Sequence, residues 1–377
     1  MQIYTHSHSI MPRTLKSVKQ AEAIPNRHCK YVSAAAHAIP FKTTLDLARR
    51  PAWMAEPYSK AAEQELFKQK ANIHVGQRKL LLSEVQLLTM YYKRNTIHPT
   101  VVYVGAAPGH HIRFLHILFP KIEFILYDGA PYEPALKAAA AAAANKAKTT
   151  YELHNSFFTD DTCREIAARK LQKLIFISDI RMGEDNKNRF EDLVGRDNAA
   201  QRGWVNILKP AYSLLKFRLP YSLKHGQKMS YVKGKIMYQV WPPMASGETR
   251  LLVHKDDIKK EMDYDFKTYE EALFYHNRWT RRYCFVKEAA ASAATMPLGN
   301  HDTDCPCYDC VAEKFTWLDY LKLNRERTGA SATDRRLASI GAILKEASKP
   351  EYRLQSDSIS PKGAPALEIL DARRRIA

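Results

Sequence analysis

Cysteine is scarce. The 377 residues hold six, at 29, 163, 284, 305, 307 and 310, and that scatter is not the framework of a small secreted disulfide scaffold. A reducing, cytosol-like compartment is the default expectation. Glycine is also thin, at 14 positions, yet a pair of glycines in one turn is weak evidence by itself, since plain turns use glycine too. No apolar run is long enough to span a membrane. The opening Met1-Gln-Ile-Tyr-Thr-His6 lacks the charged-then-apolar order of a signal peptide. Acidic residues are outnumbered, with 40 Asp and Glu against 58 Lys and Arg, a formal net charge of +18. Such an excess favours a polyanionic partner, nucleic acid above all, although a merely solvated basic surface gives the same count.

The length suffices for one large core or two modest ones. Residues 1–70 are polar and weakly periodic and read as an arm, with a short helix over Ser59–Lys70. Of three alanine runs, 34–36, 138–144 and 289–291, the longest falls where a crossover helix belongs. Lys79–Tyr92 has the spacing of an amphipathic helix. Strands are expected at Val101–Val104, Ile122–Asp128, Tyr151–His154, Lys173–Asp179, Pro210–Phe217, Lys235–Val240 and Glu248–His254. Helical patterns lie between them, then over Asp265–Arg282 and Phe315–Leu323; from Asn324 the chain turns polar and reads as a mobile or loosely docked tail. Strands alternating with helices predict an α/β fold, a mostly parallel Rossmann-like sheet with an antiparallel edge pair and helices on both faces.

Everything is organised around Val101-Val-Tyr-Val-Gly-Ala-Ala-Pro-Gly109. A β-branched run feeds a Gly/Pro turn and then a helical pattern, so Gly105 and Gly109 open a ligand site at a strand's carboxyl end and a helix's amino end. Asp128 closes the next strand at the distance of an acid that binds ribose hydroxyls, which makes this a nucleoside-cofactor site. Four further polar residues sit at element ends in apolar surroundings: Lys79, Asp179, Lys216 and Glu248. Lys216 interrupts Ser213-Leu-Leu-Lys-Phe217, and a lysine in a buried strand is costly unless paired. Singly, each reads as an ordinary ion pair. Together, beside a nucleoside loop, they read as a site.

At these residues the chain resembles the FtsJ-like RNA 2′-O-methyltransferases, most closely the cap-specific mRNA branch of the poxviruses. The matching segments are Gly76–Glu84, Val101–Gly109, Leu126–Gly129, Ile177–Arg181, Ser213–Lys216 and Gly247–Leu251. The resemblance implies an FtsJ-like methyltransferase domain over 71–323, between the arm (1–70) and a tail (324–377). It implies a catalytic tetrad of Lys79, Asp179, Lys216 and Glu248. It also implies S-adenosylmethionine as cofactor, bound by Gln77, Tyr103, Gly105, Gly109, Asp128, Phe158 and Asp179, with no metal. Lys216 is the residue expected to take or steer the ribose proton, with Lys79 as the neighbouring charge. The implied partners are RNA, capped mRNA first, and a polymerase or poly(A) polymerase to which the chain would be a subunit; the implied location is a host cytoplasm, with the virion as a second. Ribosomal or transfer RNA as substrate, and a non-catalytic RNA-binding subunit, are the alternatives.

One position departs from the family. Where the relatives carry a cap-stacking aromatic before the tetrad Glu, this chain has Ala245, leaving Trp241, Tyr238 or Tyr58 as substitutes. His111 is a further candidate at the cofactor carboxylate. Cys305, Cys307 and Cys310, with His301, have partial zinc-ligand spacing, but no second C-x-x-C pair exists and reduced thiols are expected.

Overall fold

The computed structural model describes residues 38–68, 76–144, 150–181, 190–243, 245–293 and 306–329, with 340, 342 and 343. The alanine run at 34–36, Cys29, His301 and Cys305 lie outside them.

The sheet grows outward from the β-branched run. β2 (Thr100–Val104) is buried along nearly its whole length, as a strand covered on both faces must be. It pairs in parallel with β3 (Glu123–Tyr127) on one side and β5 (Leu174–Ser178) on the other. β4 (Tyr151–His154) extends the sheet beyond β3, and β6 (Tyr212–Phe217) beyond β5, both in parallel. After β6 the direction reverses: β9 (Thr249–His254) runs antiparallel to it. β8 (Lys235–Met237) pairs antiparallel with β9, and β1 (Thr44–Leu45) with β8. The order is β1-β8-β9-β6-β5-β2-β3-β4. This is a Rossmann-like sheet with an antiparallel edge, and helices lie on both faces.

The helices are α1 (Lys60–Lys68), α2 (Gly76–Tyr92), α3 (His110–Leu118), α4 (Pro134–Ala144), α5 (Asp160–Ala168), α6 (Phe190–Leu208), α7 (Phe266–Arg278), α8 (Val286–Ala293) and α9 (Tyr308–Thr328). α2 packs on α3 and α9, and α5 on α6. Thr159 caps α5 by accepting from Thr162 N–H at 3.2 Å, and Asp265 caps α7 by accepting from Thr268 N–H at 2.8 Å. The alanine runs at 138–144 and 289–291 fall in α4 and α8.

Several elements differ from the sequence expectation. β8 stops at Met237 rather than Val240, because the chain leaves the sheet to build the segment before Glu248. The 265–282 helix ends at Arg278, followed by a 3-10 turn at Thr280–Arg282. A second sheet joins β7 (Lys228–Val232) to β10 (Glu261–Asp265), antiparallel. α9 begins seven residues before Phe315, since its acids Asp309 and Glu313 are buried with partners instead of facing water. The arm is not wholly apart from the sheet, for β1 comes from it. Beyond α9, Ile340 and Ile343 are buried in the core.

Candidate active site

The glycine loop sits where the strand order turns. Gly105 has φ +78°, and a Cβ there would lie 2.8 Å from the Asp179 carbonyl carbon. Only glycine allows that backbone to lie flat against the carboxyl end of β5. The approach is fixed by hydrogen bonds from Asp179 N–H to Val104 O and from Gly105 N–H to Tyr127 O, both 2.9 Å. Gly109, φ +79°, precedes α3, and a Cβ there would meet the Leu136 side chain at 2.6 Å. Asp128 accepts Ala107 N–H on one oxygen and Ala130 N–H on the other, each at 2.8 Å. It therefore braces the loop, and each oxygen keeps a lone pair for a further donor.

Four elements deliver charges to one point beside this loop. Lys79 comes from α2, Asp179 from the end of β5, Lys216 from β6, and Glu248 from the residue before β9. Lys216 Nζ lies 3.2 Å from Asp179 Oδ1 and 3.5 Å from Glu248 Oε2. Lys79 Nζ lies 3.4 Å from Glu248 Oε1. A fifth member is Arg250, opposite Lys216 in the β6–β9 register. Its Nη2 lies 2.6 Å from Asp179 Oδ1 and 3.8 Å from Glu248 Oε1. The four tetrad side chains are 12–18% exposed and Arg250 is 3% exposed, so the cluster opens to solvent on the tetrad side only.

The electrostatics follow from three basic groups around two acids. Burial works to raise Glu248, but Lys216, Lys79 and Arg250 outweigh it and hold the carboxyl well below the usual range. Asp179 is likewise lowered, burial being overcome by Arg250 and Lys216. Lys79 is lowered from an ordinary lysine by burial first, opposed by Glu248 and helped by Arg250. Burial would lower Arg250, yet Asp179 and Glu248 raise it, so it stays a fixed cation.

Comparison with known proteins gives the chain a family. The family model described as poly A polymerase regulatory subunit matches residues 53–328, most of the chain. The chain belongs to the poly A polymerase regulatory subunit family. Relatives include the cap-specific mRNA (nucleoside-2′-O-)-methyltransferase of Myxoma virus (strain Lausanne), 29% identical over 223 residues, 55% of this chain and 62% of the relative. The protein of the same name from Fowlpox virus (strain NVSL) is 32% identical over 219 residues, 54% of this chain and 66% of the relative. The chain thus spans somewhat under two thirds of these relatives' length.

Within this family member, the remaining expected residues take distinct positions. Gln77 Oε1 and His111 Nδ1 are 2.8 Å apart, and His111 Nε2 is 3.1 Å from Glu84 Oε1. The fully buried Tyr103 donates its hydroxyl to the same Glu84 oxygen at 2.7 Å. The half-buried Gln77 and the buried Tyr103 are therefore joined through His111 and Glu84. Phe158 is packed edge-on against Tyr127 and Trp204, both at 5.0 Å between ring centroids. Its neighbour Phe157 is 80% exposed and lies over Gly129, beside Asp128.

The aromatic substitutes for position 245 need correction. Trp241 is buried, with its indole N–H donated to Glu313 at 2.7 Å. Tyr238 is buried and stacked on His276, centroids 3.8 Å apart. Neither ring can open to a ligand without dismantling the core, and Tyr58, half-buried against Phe274, is what remains of the three. Sequence reasoning passed over Tyr221. It is half-buried with the Arg218 guanidinium 4.3 Å from its ring centre, and its hydroxyl crowds Gly247 beside Glu248. Arg250 was also passed over, although an arginine inside Thr249-Arg-Leu-Leu-Val253 carries the same signal as Lys216 inside its strand. Cys307 and Cys310 are buried at the start of α9. No helix among the described residues is long and apolar enough to cross a membrane.

Proposed function

We propose that the chain is an S-adenosylmethionine-dependent RNA 2′-O-methyltransferase, acting on the first transcribed nucleotide of capped mRNA. The observation that carries this reading is the closure of Lys79, Asp179, Lys216 and Glu248 on one another within 3.5 Å, against the glycine loop. The names of the poxvirus relatives support the same reading.

The residues present fit the cofactor. Asp128 braces the glycine loop with both oxygens and keeps a lone pair on each, the acceptor set that a ribose diol needs. Gly109, Asp128 and Asp179 would hold the nucleoside and methionine ends, with Gln77, Tyr103 and Phe158 shaping the walls. Bound there, S-adenosylmethionine supplies an electrophilic methyl group on a sulfonium. A ribose 2′-hydroxyl is a weak nucleophile, so the protein's work is alignment and removal of one proton. Lys216 Nζ, fixed between Asp179 and Glu248, meets and steers the hydroxyl, and its neutral amine form would take the proton as the methyl group passes to the oxygen. Lys79 holds Glu248 from the other side. Arg250, a buried fixed cation, keeps Asp179 ionised and oriented.

Cap recognition would fall to Tyr221, a partly open aromatic beside Gly247, or to the half-buried Tyr58, since an N7-methylated guanine is cationic and attracts ring faces. The buried state of Trp241 and the alanine at 245 favour a second reading, in which the acceptor is an RNA without a cap. The family's description favours a poly(A) polymerase as partner, and the viral relatives favour a host cytoplasm. The test is transfer of a labelled methyl group to capped, uncapped and internally structured RNAs. Transfer to capped RNA, inhibited better by N7-methylguanosine diphosphate than by guanosine diphosphate, is expected. Equal inhibition would move the substrate to non-cap RNA, and no transfer to any of them would refute the enzyme.

A further inference from the structure

Helix α9 supplies no tetrad side chain, yet two of its acids hold the segments that carry two of them. Glu313 is 2% exposed. Its carboxylate takes Arg78 on both oxygens, Nε to Oε1 at 2.8 Å and Nη2 to Oε2 at 2.6 Å. Arg78 immediately precedes Lys79, and adjacent helical residues diverge by roughly 100°, so clamping one against α9 aims the other into the site. The same carboxylate accepts the Trp241 indole N–H at 2.7 Å and the Trp317 indole N–H at 3.2 Å. Trp241 lies in the segment 238–248 that ends on Glu248. Its φ is +59°, a left-handed conformation that a bulky L residue keeps only where its surroundings hold it.

Those surroundings are specific. Asp309 Oδ1 accepts the Trp241 backbone N–H at 3.0 Å, and Oδ2 accepts from Arg281 at 2.9 and 3.1 Å. Arg281, fully buried, donates onward to the carbonyls of Pro242 at 2.9 Å and Pro243 at 3.0 Å. At the far end of the segment, Gln239 donates to Glu248 Oε1 and to its carbonyl, both at 3.1 Å. Buried ion pairs add little stability over apolar packing of the same volume. Here two of them converge on the one segment that presents Glu248 and on the residue before Lys79.

We infer that Glu313 and Asp309 are positioning residues of the tetrad, joining the backbone before Lys79 to the segment before Glu248 so that the two side chains meet. This rests on the methyl-transfer reading. The test uses the full chain with Glu313→Gln, Asp309→Asn and the double variant Arg78→Met/Glu313→Leu, the last removing the pair without stranding a buried charge. Steady-state transfer to capped RNA, cofactor affinity by calorimetry and hydrogen-exchange protection over 238–248 are measured. The expected result is a kcat lower by about tenfold or more, with RNA KM and cofactor Kd within about threefold and protection lost over 238–248. A folded double variant with parental kcat and parental protection, beside an active parent, overturns the positioning role alone. A parent that transfers no methyl group to any RNA overturns the methyl-transfer reading, and the positioning role with it.

Discussion

Lys216 and Arg250 face each other across β6 and β9, two cations on neighbouring strands that would repel without Asp179 and Glu248 between them. Their roles separate by access. Lys216 is 15% exposed and Arg250 3%, so in the proposed reaction the lysine is the cluster member open to a substrate hydroxyl and the arginine the one that holds the acids. Lys216→Ala should abolish methyl transfer and leave cofactor affinity within about threefold, because the side chain acts on the acceptor; single-turnover assays and calorimetry check both halves. Arg250→Met should do something different. It leaves two buried carboxylates short of a cation, and removal of one member of a buried pair costs about 3–5 kcal/mol. Urea unfolding should show a midpoint lowered accordingly, together with lost activity; unchanged stability would remove Arg250 from the cluster.

At the scale of elements, the loop between β2 and α3 does the placing. Gly105→Ala would need φ +78° for an alanine and a Cβ 2.8 Å from the Asp179 backbone. The conformation alone costs about 1–2 kcal/mol, and the collision pushes β5 and Asp179 away. Calorimetry should show cofactor binding lost before the fold is, and unchanged binding would place the cofactor elsewhere. This loop was legible in the sequence because β-branched runs, turn glycines and a helical period occur there in order. The parallel strands around it were legible for the same reason. β7 and β10 were not singled out, although Met229 and Tyr231, like Met262 and Tyr264, alternate with polar residues as a two-residue period requires. α9 was read too short for a different reason. Asp309, Glu313 and Lys314 break its apolar period, and no pattern along one segment reveals that Arg281 and Arg78 will meet two of those residues from elsewhere in the chain. The tetrad was legible as four misfits. Arg250 carries the same in-strand signal as Lys216, whereas the significance of Tyr221 lies in the loop across from it, which no pattern along its own segment reveals.

At the scale of the whole molecule, a net charge of +18 and a site of three basic groups around two acids both suit a polyanion. The depressed carboxyls also set a pH limit. A carboxyl lower in the folded chain than in the unfolded one contributes stability that is complete above its unfolded value, and loses it as pH falls toward its folded value. Asp179, Glu248, Glu133 and Glu152 are all lowered, so thermal midpoints should fall as pH drops below about 4, the ordinary carboxylate range. A midpoint flat from neutral pH to well below that range would contradict the ion pairing described. Methyl transfer, if it occurs, ends on one hydroxyl. Two capped RNAs, identical except that the first transcribed nucleotide carries either a ribose 2′-hydroxyl or 2′-hydrogen, are incubated with the chain and labelled S-adenosylmethionine and digested for mass spectrometry. One methyl group is expected on that ribose in the first RNA, none in the second, and none in either with Lys216→Ala. Equal labelling of both RNAs, or none of the first, would contradict it.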